Sequence, residues 1–396
     1  WTKSYPNWEP PSAGSDSRFH VGRRSRREGG NRGCTMDHPI RLDTLDLQHI
    51  LLWMPHWLGD VVFVLPTVQA IRACRPDVRI TAVAHPPAHE FLRHHPALDS
   101  VIKIPFSPKD GFWSACRFAR GLKQYQFDLA VLFPNSFRSA ALAWLSGANI
   151  RIGYPTEGRS FLLTHPVTGR QDSKSVHAVD YYSGIVSCLG IGEVEKTFDP
   201  VVSKAEVGQQ SEWLSRQGII PGDLLVAVQP GASKPEKRWH VERFGILCQS
   251  LIKQRGAKIL LLGNAAEAEL LGEVRQYCPQ EHSLVVTGQN MQEVLALLKN
   301  CTLLIANDSG LMNLAAMVGT PLVALFGPGS PKTTDPCIDP AKKEIVTKNF
   351  PCSPCRHNFF KECKPSPHNK PFCIEDISVQ DVSEAVDRLL ERIQRG

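Results

Sequence analysis

Ile50-Leu51-Leu52-Trp53-Met54-Pro55-His56-Trp57-Leu58-Gly59-Asp60-Val61-Val62-Phe63-Val64-Leu65 is the stretch whose reading decides the fold. Residues 50–54 form an apolar run with the length of a strand buried on both faces. Pro55, Gly59 and Asp60 interrupt it, and from Val61 the apolar residues Val61, Val64, Leu65, Val68 and Ile71 recur at helical spacing up to Cys74. A buried strand followed directly by a helix opens a βαβ unit. The rhythm continues with strands predicted at 79–84, 101–104, 128–133 and 150–152 and helices at 112–123, 136–145 and 176–189. After a polar stretch closed by Pro221-Gly222 it starts again, with strands at 224–229, 259–262, 284–286, 302–306 and 322–326 and helices beginning near Val241, Ala266, Met291 and Gly310.

The pattern predicts an α/β fold of two Rossmann-like, doubly wound domains, 36–190 and 223–396, joined by a linker, 191–222. Ligands then bind in the cleft where the carboxyl ends of the two sheets meet. Residues 327–374, rich in Pro and Cys, read as an extended loop. A last helix, 379–392, follows an N-cap at Ser378.

Composition narrows the class. The 396 residues are 42% hydrophobic and 21% charged, which excludes collagenous and disordered chains. No apolar run reaches the ~18 residues that cross a bilayer, because His56, Gly59 and Asp60 break the most hydrophobic stretch. Of the formal charge of +6, residues 1–35 carry +4, so no basic field for nucleic acid extends over the rest. That first stretch starts with Trp, lacks periodicity and reads as a non-native or disordered extension, with Met36 as the expected start; a functional basic tail is the alternative. Cys74, Cys188, Cys248 and Cys301 sit at apolar positions, as thiols do in the reducing cytoplasm.

Four groups of residues carry chemistry. Trp57, Gly59 and Asp60 stand at the cleft end of the first strand. Asp60 either caps the following helix or acts as a general base, and Gly59 allows a tight turn and close approach of a ligand. Gly231 and Ala232, followed by Lys237 and Arg238, combine backbone donors with cations, as a diphosphate requires. Asp308, Ser309, Gly310 and Leu311 stand at another strand-to-helix junction, where helix-terminal amides are free. Neither G-x-G-x-x-G nor G-x-x-x-x-G-K-[ST] nor Asp-x-Asp occurs, so a leaving diphosphate falls to Lys, Arg and amides, with no cofactor and no catalytic metal. Finally, Cys352, Cys355, Cys363 and Cys373 lie within 22 residues, spaced for a structural zinc or for unliganded thiols, with His357 and His368 as substitute ligands.

Taken together, four ordered motifs resemble the bacterial ADP-heptose:lipopolysaccharide heptosyltransferases. They are Trp57-Leu58-Gly59-Asp60, the run from Leu132 through Asn135 and Arg138 to Ala140, the Lys237-Arg238-Trp239 loop, and Asn307 to Met312 followed by Pro321 to Pro328. The resemblance covers about Ile50 to the C-terminus and implies a GT-B fold. It also implies an ADP-heptose donor, a lipid A-core acceptor at the inner membrane surface, and transfer with inversion and without metal, of the type that extends the first heptose. Asp60 then matches the base and Lys237 the phosphate-binding lysine. Asp308 to Leu311 match the donor loop, and Glu267, or else Glu269, the acid that holds the ribose. Trp57, Gly59, Asn135 and Arg138 would face the acceptor. Asn313 departs from the His common at that place. Competing readings are a heptosyltransferase of type I or III, a sugar-nucleotide epimerase of the same build, and a zinc-stabilised nucleic-acid module.

Overall fold

The computed structural model describes residues 40–106, 111–169, 172–355 and 359–395. The extension 1–35 and the expected start at Met36 lie outside the described residues. Strands β1 (His49–Trp53), β2 (Arg79–Ala84), β3 (Ser100–Lys103), β4 (Leu129–Leu132), β5 (Ile150–Gly153) and β6 (His165–Pro166) form a parallel sheet in the order β3-β2-β1-β4-β5-β6. Strands β7 (Leu225–Gln229), β8 (Lys258–Leu262), β9 (Ser283–Val286), β10 (Leu303–Asn307), β11 (Leu322–Phe326) and β12 (Lys343–Thr347) form a second, in the order β12-β11-β10-β7-β8-β9. Counted from its own first strand, each sheet has the doubly wound order 3-2-1-4-5-6. The switch points fall between β1 and β4 and between β7 and β10.

Helices α1 (Leu58–Cys74), α2 (Ala88–Leu92), α3 (Phe112–Gly121), α4 (Phe137–Leu145) and α5 (Ala178–Ser187) accompany the first sheet. After α6 (Lys204–Arg216), the second sheet carries α7 (Val241–Arg255), α8 (Ala268–Arg275), α9 (Met291–Asn300), α10 (Gly310–Val318), α11 (Pro331–Thr334), α12 (Phe372–Glu375) and α13 (Val379–Arg395). Strands β1, β7, β10 and β11 are buried along their whole length, because helices cover both faces of each sheet.

Several expectations change. Helix α1 is not one-sided: every residue from Val61 to Val68 is buried, since the helix lies between the first sheet, α5 and α10. The stretch 191–222 is not simply a linker. It contains α6, started by a reciprocal cap in which Glu206 N–H donates to Ser203 Oγ at 3.2 Å and Ser203 N–H donates to Glu206 Oε2 at 2.8 Å, and α6 packs on α9. The stretch 327–374 is not one extended loop either, because β12 adds an edge strand to β11. Cys74 is only partly buried, whereas Cys188, Cys248 and Cys301 are buried as expected.

Candidate active site

The first turns of α1 and α10 meet between the two sheets. A Cβ on Gly59 would stand 3.0 Å from Asn313 Nδ2, and one on Gly310 would stand 3.3 Å from Leu58 Cβ and 3.5 Å from the Gly59 nitrogen. Gly59 therefore serves the approach of the two helices and lies inside α1, not in the tight turn expected of it. Two positive helix ends now face one place, which favours an anion there.

Asp60 occupies the third position of α1. The N-cap is Trp57, which makes no side-chain cap bond, so Asp60 is not the cap. Its carboxylate accepts a hydrogen bond from the Tyr182 hydroxyl of α5. Burial pushes its pKa up to about 6, outweighing the hydrogen bond from Tyr182 and the charge of Lys237, both of which pull it down. Burial next to that carboxylate holds the Tyr182 phenol well above its ordinary value, so it stays a donor. Helix α5 is placed by His177. Its Nδ1 accepts from Val179 N–H at 3.2 Å, and its Nε2 donates to the Asp335 carbonyl of the second half at 2.8 Å. Burial lowers the His177 pKa, which keeps that neutral tautomer.

The residues expected on the donor side form one stitched unit. Asn307, at the end of β10, accepts from Trp239 N–H at 3.0 Å and donates to the Pro230 carbonyl at 2.8 Å, tying the two loops together. Lys237 Nζ reaches Asp308 Oδ2 at 2.6 Å, with side chains 12% and 11% exposed. Ser309 is the N-cap of α10; its Oγ accepts from Met312 N–H at 3.4 Å and donates to Gln229 Oε1 at 2.8 Å. Gly310 and Leu311 open that helix. Arg238 Nε and Nη2 both donate to the Ala232 carbonyl, at 3.1 and 3.0 Å, and brace the turn. Glu267 Oε1 occupies the space beside Gly231, where a Cβ would lie 1.9 Å away, and its Oε2 accepts from Asn264 N–H at 3.0 Å.

On the other side, Asn135 donates to the Tyr181 hydroxyl at 2.7 Å, and Trp57 is 62% exposed. Arg138 lies over the Phe106 ring, 5.2 Å from its centroid, and its buried Nη2 has no hydrogen-bond partner among the described residues. It lines a cavity of about 180 Å³ with Trp53, His56, His85 and Phe106. Burial, with the charges of His56 and Arg138, holds the His85 pKa near 4. A larger surface hollow, about 590 Å³, is lined by Arg243, which pairs with Glu375, and by Lys348 and Ser378, which are bonded to Asp381.

The Cys-rich stretch braces the donor loop from behind. Lys370 Nζ donates to the Arg238 carbonyl at 3.0 Å, and Trp239 Nε1 donates to the Ile377 carbonyl at 2.8 Å. Burial would raise the Glu375 carboxyl, but bonds from His240, Ser366 and His368 hold it below its ordinary value. His240, His368 and Glu375 lie close enough to hold a metal, yet Arg243 stands 3.6 Å from the same carboxylate, and the trio reads as a hydrogen-bonded brace. His368 is thereby committed, and His357 lies outside the described residues. Tyr182 joins the site without having been singled out from the sequence, whereas Asn307 and Gln229, which stand within the candidate motifs, take the part of ties between the loops.

The chain matches glycosyltransferase family 9 (heptosyltransferase) over residues 115–364. Over 307 residues it is 30% identical to lipooligosaccharide heptosyltransferase 2 of Haemophilus influenzae, covering 74% of this chain and 87% of that one. The solved structure of E. coli ADP-heptose lps heptosyltransferase II superposes with a TM-score of 0.71 at 24% identity, over 88% of this chain and 100% of that one. A family 9 glycosyltransferase from Veillonella parvula superposes with a TM-score of 0.75, also at 24% identity, over 88% and 98%. The two structures share the fold, which is GT-B. With the family matched over more than half its length and a relative at 30% identity, this chain belongs to glycosyltransferase family 9, the heptosyltransferases, and is a glycosyltransferase.

Proposed function

We propose that the enzyme moves L-glycero-D-manno-heptose from ADP-heptose to the inner core of lipopolysaccharide, onto its first heptose, with inversion at the anomeric carbon. One observation carries the reading: Asp60 of the first sheet and Lys237 of the second are close enough for their charges to interact, where the first turns of α1 and α10 meet. Above pH ~6 Asp60 is ionised and takes the proton of an acceptor hydroxyl while that oxygen attacks C1. The bond from C1 to the ADP oxygen breaks through an oxocarbenium-like state, and its electron pair leaves on the diphosphate. Lys237 and the Gly310 and Leu311 amides share the charge that develops there. A single displacement inverts the centre.

Glu267, beside Gly231, is placed to hold the ribose. Arg138 and its cavity take the acceptor, while Gly59 and Asn135 act through packing. The enzyme works in the cytoplasm, at the inner face of the membrane that presents a lipid-anchored acceptor. We also assign a structural zinc to Cys352, Cys355, Cys363 and Cys373. In support, the buried Cys373 thiol lies within electrostatic range of the other three and Cys352 is hydrogen-bonded to Cys363; among the described residues no three of these thiols stand within 4.8 Å of one another, so the metal would draw them together.

Mass spectrometry of products from ADP-heptose with acceptors bearing or lacking the first heptose tests the function. One heptose added to the heptose-bearing acceptor alone is the expected result. Transfer to the heptose-free acceptor would make it a type I enzyme, and conversion of the donor without acceptor would make it an epimerase.

A further inference from the structure

Nine large apolar side chains are exposed among the described residues, and five of them, Phe112, Trp113, Phe137, Trp144 and Phe161, belong to one side of the first sheet. Helices α3 and α4 pack against each other there, and the 3-10 turn Arg159–Leu162 packs on α4. Both helices bury a stripe of mostly small residues and leave aromatic ones on the outside. Helix α3 turns Ala115, Cys116 and Ala119 inward and leaves Trp113 76% exposed; α4 buries Ala140, Leu142 and Ala143 and leaves Trp144 55% exposed. Phe118 and Leu142 pack into the core beneath, while Trp113, Phe137 and Trp144 stay outside it.

Spacing aligns the exposed residues. Trp113, Arg117 and Arg120 recur at i, i+4 and i+7 on α3, and Phe137 and Trp144 lie seven apart on α4. The Phe161 ring lies 6.1 Å from that of Phe137. Arg117, Arg120 and Lys123 are exposed and form no ion pair among the described residues, and no acid occurs between Gly111 and Phe127. The acid beside Phe137, Glu157, has its carboxylate on the Phe137 N–H at 3.0 Å. Aromatic side chains amid unpaired basic ones have the chemistry of an anionic bilayer interface. The aromatic N-terminal turns of α3 and α4 also lie at the carboxyl end of the sheet, where the cavity beside Arg138 and Phe106 is found.

We propose that the outer face of α3, α4 and the turn Arg159–Leu162 docks on an anionic lipid surface. The acceptor's sugar then reaches the cavity while its lipid stays in the bilayer, and this second clause alone rests on the function proposed above.

The test uses the full chain in flotation with vesicles of phosphatidylcholine, with or without phosphatidylglycerol. The parent should float with the anionic vesicles only. Arg117→Gln/Arg120→Gln should weaken that binding about 25-fold, at roughly five-fold per basic residue removed. Trp113→Ser/Trp144→Ser should weaken it as well, and the Arg pair keeps the test valid if the Trp pair fails to fold. Both variants should keep the parental rate on a deacylated, water-soluble acceptor and lose rate on a vesicle-embedded one. Variants that float like the parent would show that residues 1–35 or another surface hold the lipid and would overturn the proposal. A parental dimer that the Trp pair dissolves would overturn it too, since a second copy would then cover the face. Normal flotation with no heptose transferred to either acceptor would leave the docking face standing and remove the proposed function.

Discussion

Replacing Asp60 with Asn removes a charge and a proton acceptor while keeping shape and the ability to accept the Tyr182 hydrogen bond. The Asp60 carboxyl is pushed up to about 6, roughly two units above its ordinary value. At ~1.4 kcal/mol per unit, ionising it in the folded protein costs up to about 3 kcal/mol relative to the unfolded chain. The sign follows from the folded pKa lying above the unfolded one. Below about pH 4 both states are protonated and nothing is lost; stability then falls as pH rises, until Asp60 is fully ionised above about pH 6. Asn carries no charge at any pH. Asp60→Asn should therefore melt higher than the parent at neutral pH and the same as the parent in acid.

Activity should move the other way. Loss of a positioned general base costs at least ~10²-fold in turnover, while ADP-heptose affinity, held by the second sheet, stays near the parental value. The assay is ADP release against pH. Parental kcat/KM should fall about ten-fold per unit below pH ~6, and the residual rate of the variant should lack that limb. An Asn variant that keeps most of its activity and the same acid limb would assign the base to another carboxylate. A variant that melts lower at neutral pH would refute the desolvation argument itself.

Tyr182→Phe removes a hydrogen bond that favours the ionised carboxylate, so the acid limb should shift to higher pH with donor KM unchanged; an unmoved limb would make Tyr182 a packing residue only. Lys237→Ala should weaken ADP binding and cost ~2–4 kcal/mol in transition-state stabilisation, read from kcat/KM. It should also lower the melting temperature, because Asp308 loses its partner in a buried pair. Cys355→Ser should lower the melting temperature and release zinc measured by elemental analysis, and a purified parent with less than about a tenth of an equivalent would rule the metal out. Added Mg²⁺ or EDTA should leave the transfer rate unchanged, and a strict divalent requirement would contradict a leaving group stabilised by Lys237 and amides.

Legibility in the sequence followed the physics of each element. Strands β2 and β11 agree with the residues read from apolar runs, because burial of all their residues but Arg79 leaves a nearly unmixed pattern, and the starts of α7, α9 and α10 agree as well. Strand β12 was hidden because an edge strand tolerates Lys343, Glu344 and Thr347. Helix α6 carries its signal only in the capping box of Ser203 and Glu206, because a single buried residue, Leu214, gives it no apolar stripe. The start of α1 could not be read, since Trp57 offers no capping side chain. Asp60, Lys237 and the Asp308–Leu311 junction were legible as chemistry. Tyr182 was not, because its position comes from α5 packing on α1, a contact between segments far apart in the chain.

The residues that look most like phosphate ligands in the sequence turn out to be divided between two tasks. Arg238 gives its Nε and Nη2 to Ala232, Ser309 its hydroxyl to Gln229 and the cap of α10, and Asn307 its amide to both loops. These bonds make the loop rigid. Lys237 spends one of its three donors on Asp308, which fixes the direction of the ammonium and leaves two protons for a ligand. The first turn of α10 and the positive end of α1 add fixed partial charges that need no reorganisation when a diphosphate forms. Each loop alone is an ordinary strand-to-helix junction. The duplicated 3-2-1-4-5-6 order brings both to a switch point, and the Gly59–Gly310 contact sets the two helix ends against each other with Asp60 beside them. The proposed base and the proposed leaving-group site thus stand on opposite sheets, so a change that loosens the Gly59–Gly310 contact should reduce turnover more than it reduces donor affinity.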